Sequence, residues 1–112
     1  MPHYTLFHQT CVDSAKKILA SQRMVRGMDG ICGAGIYFAD SVEATFPKAH
    51  KHGAVLAAKV KMGNTKLLNG PADVHFHSLL QEGFDSVTIS SASGTEYVVY
   101  NFDQVYNITQ VA

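Results

Sequence analysis

The sequence predicts an α+β fold built on mainly antiparallel strands with a few short helices. Three observations carry this. Segments with period-2 alternation or β-branched runs greatly outnumber those with helical spacing, several adjacent strand segments are joined by short turns, and the helical segments are short and cluster towards the N-terminal half. The 112 residues are enough for one core and one domain, here 1–112, with 46% hydrophobic and 16% charged residues. That balance is too apolar for a disordered chain, and no apolar run approaches the roughly 20 residues of a membrane span.

Taken in order, Tyr4, Leu6 and His8 alternate with Thr5, Phe7 and Gln9 and read as a strand. Thr10 followed by Asp13 has the spacing of a capping box, and a helix follows from Val12 to Gln22, with Ala15, Ile18 and Leu19 inward and Lys16 and Lys17 outward. Gly27, Gly30, Gly33 and Gly35 make a loop that leads into a strand from Ile36 to Ala39. Ser41 offers an N-cap, and Pro47 divides the stretch from Ser41 to His52 into two short helical pieces, ended by Gly53. Ala54 to Met62 is the strongest strand, followed by a Gly63-Asn64 turn, a short strand near Lys66 to Leu68 and a Gly70-Pro71 loop. Phe76 to Glu82 has helical spacing, while Ser86 to Ile89, Glu96 to Tyr100 and Val105 to Val111 read as strands.

Nine basic and nine acidic residues give a formal net charge of zero, so no global field holds a polyanion. Two cysteines, Cys11 and Cys32, and a start without a cationic, apolar leader point to a reduced compartment, cytoplasmic or nuclear, and to no disulfide framework. His50-Lys51-His52 and His75-Phe76-His77 have His-x-His spacing that would set both rings on one face of a strand, as a zinc site needs. Both lie in segments that read as helix or loop, so we read these histidines as solvated and expect no metal. Lys48 to His52 could instead form a small anion patch.

Three short segments carry a more specific signal: Leu6-Phe7-His8-Gln9-Thr10, Gly33-Ala34-Gly35-Ile36-Tyr37-Phe38-Ala39-Asp40, and Thr95-Glu96-Tyr97-Val98-Val99-Tyr100-Asn101. In this order they resemble the His, Tyr, Glu signature of the poly(ADP-ribose) polymerase family. Gly83-Phe84-Asp85-Ser86-Val87 resembles the stretch that precedes that family's catalytic Glu strand, and Asp103 to Ile108 is similar to its closing strand, so the resemblance runs from about Tyr4 to Ile108.

The resemblance implies an ADP-ribosyltransferase-like split β-sandwich that binds NAD as co-substrate, without metal, and transfers ADP-ribose to a protein or nucleic-acid acceptor. It makes His8, Tyr37 and Glu96 catalytic: His8 on the adenosine-side ribose, Tyr37 on the nicotinamide ring, Glu96 on the nicotinamide ribose. By position, Thr45 meets the carboxamide, the main chain of Gln9 meets the same amide with its side chain a spectator, and Thr10 reaches the adenosine ribose. Arg26, or Arg23, pairs with the pyrophosphate. Gly35, Phe38, Ala39, Phe46 and Lys48 complete the expected NAD-binding set. The chain departs from the family where Gln9 replaces a glycine and where Lys48 stands in place of a second aromatic, for which Phe46 is the nearest substitute. Breaking the nicotinamide–ribose bond creates a cation-like sugar, so a carboxylate beside it fits the chemistry. A monomer is expected, with no membrane partner. Two rival functions remain: a catalytically silent module for NAD, ADP-ribose or a nucleic-acid end, and an NAD glycohydrolase in which water is the acceptor.

Overall fold

The computed structural model describes residues 3–24, 35–47, 52–69, 79, 81–91 and 94–112. The elements run β1 (His3–Thr10), α1 (Val12–Ser21), β2 (Ile36–Ala39), α2 (Val42–Thr45), β3 (Ala54–Lys61), β4 (Thr65–Leu68), β5 (Ser86–Ser91), β6 (Gly94–Val99), a 3-10 turn (Phe102–Gln104) and β7 (Val105–Gln110). Seven strands form one sheet in the order β4-β5-β6-β2-β1-β3-β7, antiparallel throughout except for the parallel β4–β5 pair. The domain is thus a small α+β fold on a mostly antiparallel sheet.

Pleating assigns the apolar residues to two faces. On one, Leu6, Ile36, Phe38, Leu56, Val60, Val99 and Ile108 form a cluster covered by α1, whose Ala15, Ile18 and Leu19 pack onto it as their spacing requires. On the other, Val87, Ile89, Val98 and Tyr100 gather with Leu79, flanked by Tyr37, Leu68 and Phe84. Each such aliphatic side chain taken from water contributes about 1.5–3 kcal/mol, so both clusters stabilise the sheet.

Several local expectations change. Thr10 does not cap α1; it is the last residue of β1, paired with Ala54 and 6% exposed, and Cys11 takes the N-cap position, where its thiol donates to Ser14 Oγ at 3.2 Å. The helix ends at Ser21, because Gln22 turns left-handed (φ 56°) and sends its N–H to Ile18 O and its side-chain amide to Leu19 O and to both polar groups of Ile108. Ser41 does cap α2, accepting from Ala44 N at 3.1 Å; the second helical piece expected before His52 lies outside the described residues. So do the loops at Gly27 to Gly33 and Gly70-Pro71, and most of Phe76 to Glu82, of which Leu79 and Gln81 are described and helical.

The Gly63-Asn64 turn forms, with Gly63 at φ +59°, but it does not fold β4 back onto β3. Asn64 is tied elsewhere: its N–H donates to the Asp85 carboxylate, its side-chain amide to Gly83 O, and its carbonyl accepts from Asp85 N. Those bonds deliver Thr65–Leu68 to β5, where it runs parallel. On β7 an extra residue sits between the Lys59–Tyr106 and Ala57–Thr109 pairs, a bulge housed by Asn107 at φ 51°, a residue type that tolerates that region.

The joint between β1 and β2 is the narrowest in the sheet. A single register pair, Phe7 with Ala39, connects them, whereas β1 pairs with β3 along all eight of its residues, His3 to Thr10. This seam divides β4-β5-β6-β2 from β1-β3-β7. Among the described residues no helix is long and apolar enough to cross a membrane.

Candidate functional site

The three residues singled out in sequence lie on β1, β2 and β6, which are neighbours in the sheet. Tyr37 pairs with Val98 and Ala39 with Glu96 across β2–β6, so Tyr37, Ala39 and Glu96 share one face. Tyr37 and Glu96 are diagonal neighbours there, a relation that sets Cα atoms about 7–8 Å apart and leaves long side chains in reach of a common ligand. Both are half-buried. Tyr37 leans on the Val87–Ile89–Val98 cluster, so its ring has an apolar back.

His8 belongs to the opposite face by the pleat, pairing with Leu56 and approaching Phe38 edge-on at 5.9 Å between ring centroids. It nevertheless meets Tyr37 at the seam: Nδ1 lies 2.7 Å from the Tyr37 carbonyl oxygen. A carbonyl only accepts, so Nδ1 carries the proton and donates. Burial pushes the His8 pKa below its ordinary value, with the bond to Tyr37 opposing, and the neutral ring that results presents an Nε2 lone pair able to accept from a hydroxyl.

The remaining expected positions separate. Ala39 is buried on the Tyr37 face and can floor a site there. Phe38 is 3% exposed in the α1-side core, and its place in the strand pattern puts its side chain among Leu6, Ile36 and Leu56. Gly35 has a packing reason to lack a side chain, since a Cβ there would run into Val98 and would stand 3.1 Å from the Tyr100 ring. Thr10 is buried on the His8 face. Arg23 lies over the Phe102 ring, 4.8 Å from its centroid. Arg26 and Lys48 lie outside the described residues, as do His50, His75, His77 and Cys32. Among the described residues no group of three or more His, Cys, Asp or Glu side chains is arranged to hold a metal ion.

Gln9 carries side-chain contacts that the sequence did not suggest. It shares the face of Phe7, and through the Phe7–Ala39 pair the face of Tyr37 and Glu96. Its side chain is 5% exposed and is bonded at both ends within the protein: Nε2 donates to Thr45 Oγ1 at 3.0 Å, and Oε1 accepts from His52 Nδ1 at 2.6 Å. Thr45, itself buried, donates its hydroxyl proton to Val42 O at 2.5 Å. Phe46, half-exposed beside Thr45, stacks on the His52 ring at 6.3 Å and 29°.

No protein-family model matches the chain, and no curated protein matches its sequence. The site therefore stands on its own geometry. His52 is the participant that sequence reading missed as a contact. Forty-three positions separate it from Gln9, and the one signal that a partner was needed is that a buried glutamine at a strand end must satisfy both ends of its amide.

Proposed function

We propose that this chain is an NAD-dependent ADP-ribosyltransferase of the poly(ADP-ribose) polymerase type in a single minimal domain, which cleaves the nicotinamide–ribose bond and passes ADP-ribose to a protein or nucleic-acid acceptor. The observation that carries this reading is the β2–β6 register, which makes Tyr37 and Glu96 diagonal neighbours on one face beside the seam at which His8 is held by the Tyr37 carbonyl. The split β-sandwich belongs to the same proposal. It draws support from the single Phe7–Ala39 connection and from apolar clusters on both faces.

In this scheme His8 accepts from a ribose hydroxyl through Nε2, Tyr37 packs its ring on the nicotinamide, and Glu96 accepts from a hydroxyl of the nicotinamide ribose. The glycosidic C–N bond breaks with its electron pair leaving on nicotinamide, and the Glu96 carboxylate stabilises the positive charge that develops on the sugar. An acceptor nucleophile then bonds to C1′ from the opposite side and gives up its proton, which Glu96 can assist by polarising an incoming hydroxyl. No step in this scheme draws on a metal.

The test is incubation of the protein with NAD labelled in its adenylate half, with and without cell extract. Label on protein or nucleic acid is the expected result. Free ADP-ribose alone would make water the acceptor, and binding without cleavage would make the chain a silent module; either outcome displaces the transferase reading.

A further inference from the structure

The chain Thr45–Gln9–His52 has a direction that its partners dictate. Val42 O can only accept, so the Thr45 hydroxyl proton is committed to it at 2.5 Å, and whatever faces Thr45 from Gln9 must donate. That assigns Nε2 to Thr45 and Oε1 to His52, whose Nδ1 must then carry a proton. A buried carboxamide is thus bound through its amino group to a threonine and through its oxygen to a histidine that stacks on Phe46. A primary carboxamide on a nicotinamide ring offers the same two groups. It would look for them on the same face, because Gln9, Tyr37 and Glu96 share that face.

We propose that the side-chain carboxamide of Gln9 is a resident occupant of the amide subsite beside Tyr37, held there by His52, and that it must withdraw from Thr45 before the carboxamide of a bound nicotinamide can enter. The inference rests on the reading above in which Thr45 serves that carboxamide. His52 becomes a positioning residue: it touches no substrate in this account, and it sets the population of the occupied state by orienting Gln9. The ring of His52 is exposed, so it can swing with the amide when the subsite opens. A site whose competent form is a minor population binds its ligand more weakly by that fraction, and removing the internal competitor restores the difference.

Two ligands separate the inference from the reading beneath it. Free nicotinamide probes the amide subsite alone, and ADP-ribose, which lacks the amide, probes the remainder of the cleft; each is titrated calorimetrically into the wild-type protein, Gln9→Ala and His52→Ala. The expected result is nicotinamide binding at least about tenfold tighter in Gln9→Ala, a gain of about threefold in His52→Ala, and ADP-ribose affinity unchanged within about twofold in both. The second variant keeps the buried glutamine in place, so a folding defect in the first does not remove the test. If ADP-ribose binds all three proteins while nicotinamide binds both variants no more tightly than the wild type, the internal occupant is wrong and the reading of the cleft survives. If neither ligand binds any of the three, the reading of the cleft falls and the inference falls with it.

Discussion

At the scale of single residues, Glu96 and His8 make separable claims. Under the transferase reading, Glu96 acts on charge that exists only at the transition state, whereas stacking and ribose contacts exist already in the bound state. Glu96→Gln should leave NAD affinity within a few-fold and lower turnover by roughly two to three orders of magnitude. Turnover equal to wild type in single-turnover measurements would remove Glu96 from the chemistry. His8 makes its claim on stability. Burial depresses its pKa from 6.5, so between the depressed value and 6.5 the unfolded chain binds more protons than the folded one. Its contribution to stability is therefore fully present above 6.5 and is lost as pH falls through the folded value. Urea midpoints across about pH 5 to 7 should fall more steeply towards acid for the wild type than for His8→Gln. Parallel slopes would mean that the imidazole is not held neutral. Both residues stood out in the sequence through the segments around them. The tautomer of His8 was not, because it depends on a carbonyl 29 positions away.

At the scale of elements, alternation and caps were readable because they are local. The β2 limits at Ile36 and Ala39, the Ser41 cap and the inward face of α1 all follow from spacing within a few residues. Thr10 misled for the opposite reason: cross-strand pairing with Ala54 prolonged β1 past the point at which local chemistry favours a cap. Gly35 shows how a motif glycine can have a packing cause. A methyl group there meets the Val98 side chain, with Tyr100 and the Val99 carbonyl close behind. Gly35→Ala should cost about 1–3 kcal/mol by overpacking, visible as a lower melting temperature. A variant as stable as wild type would show that β6 yields freely at this point.

At the scale of the whole molecule, Gln104 joins parts of the chain that the sheet order keeps apart. Its Oε1 accepts from Tyr100 N and Asn101 N, and its Nε2 donates to Lys61 O and Asp85 O, tying the end of β3 to the start of β5 and the end of β6. Removing the amide leaves carbonyl and N–H groups from three elements without it, at about 1–3 kcal/mol for the group. Gln104→Ala should therefore unfold at lower urea than the wild type with an unchanged denaturant slope. A lowered slope instead would indicate that β1-β3-β7 separates from the rest before global unfolding.

What the sequence determined by itself is what short-range physics controls: the strands and α1, the faces on which their apolar residues lie, and the ordered segments around His8, Tyr37 and Glu96. Tertiary structure alone decided that β4 leaves β3 for β5, that β1 and β2 touch at one pair, and that the amide of Gln9 lies between Thr45 and His52. The reason is the same in each case. Periodicity says which way a side chain faces along its own strand, whereas a strand's partner and a buried amide's bonds are chosen by groups brought close only when the chain has closed over long distances.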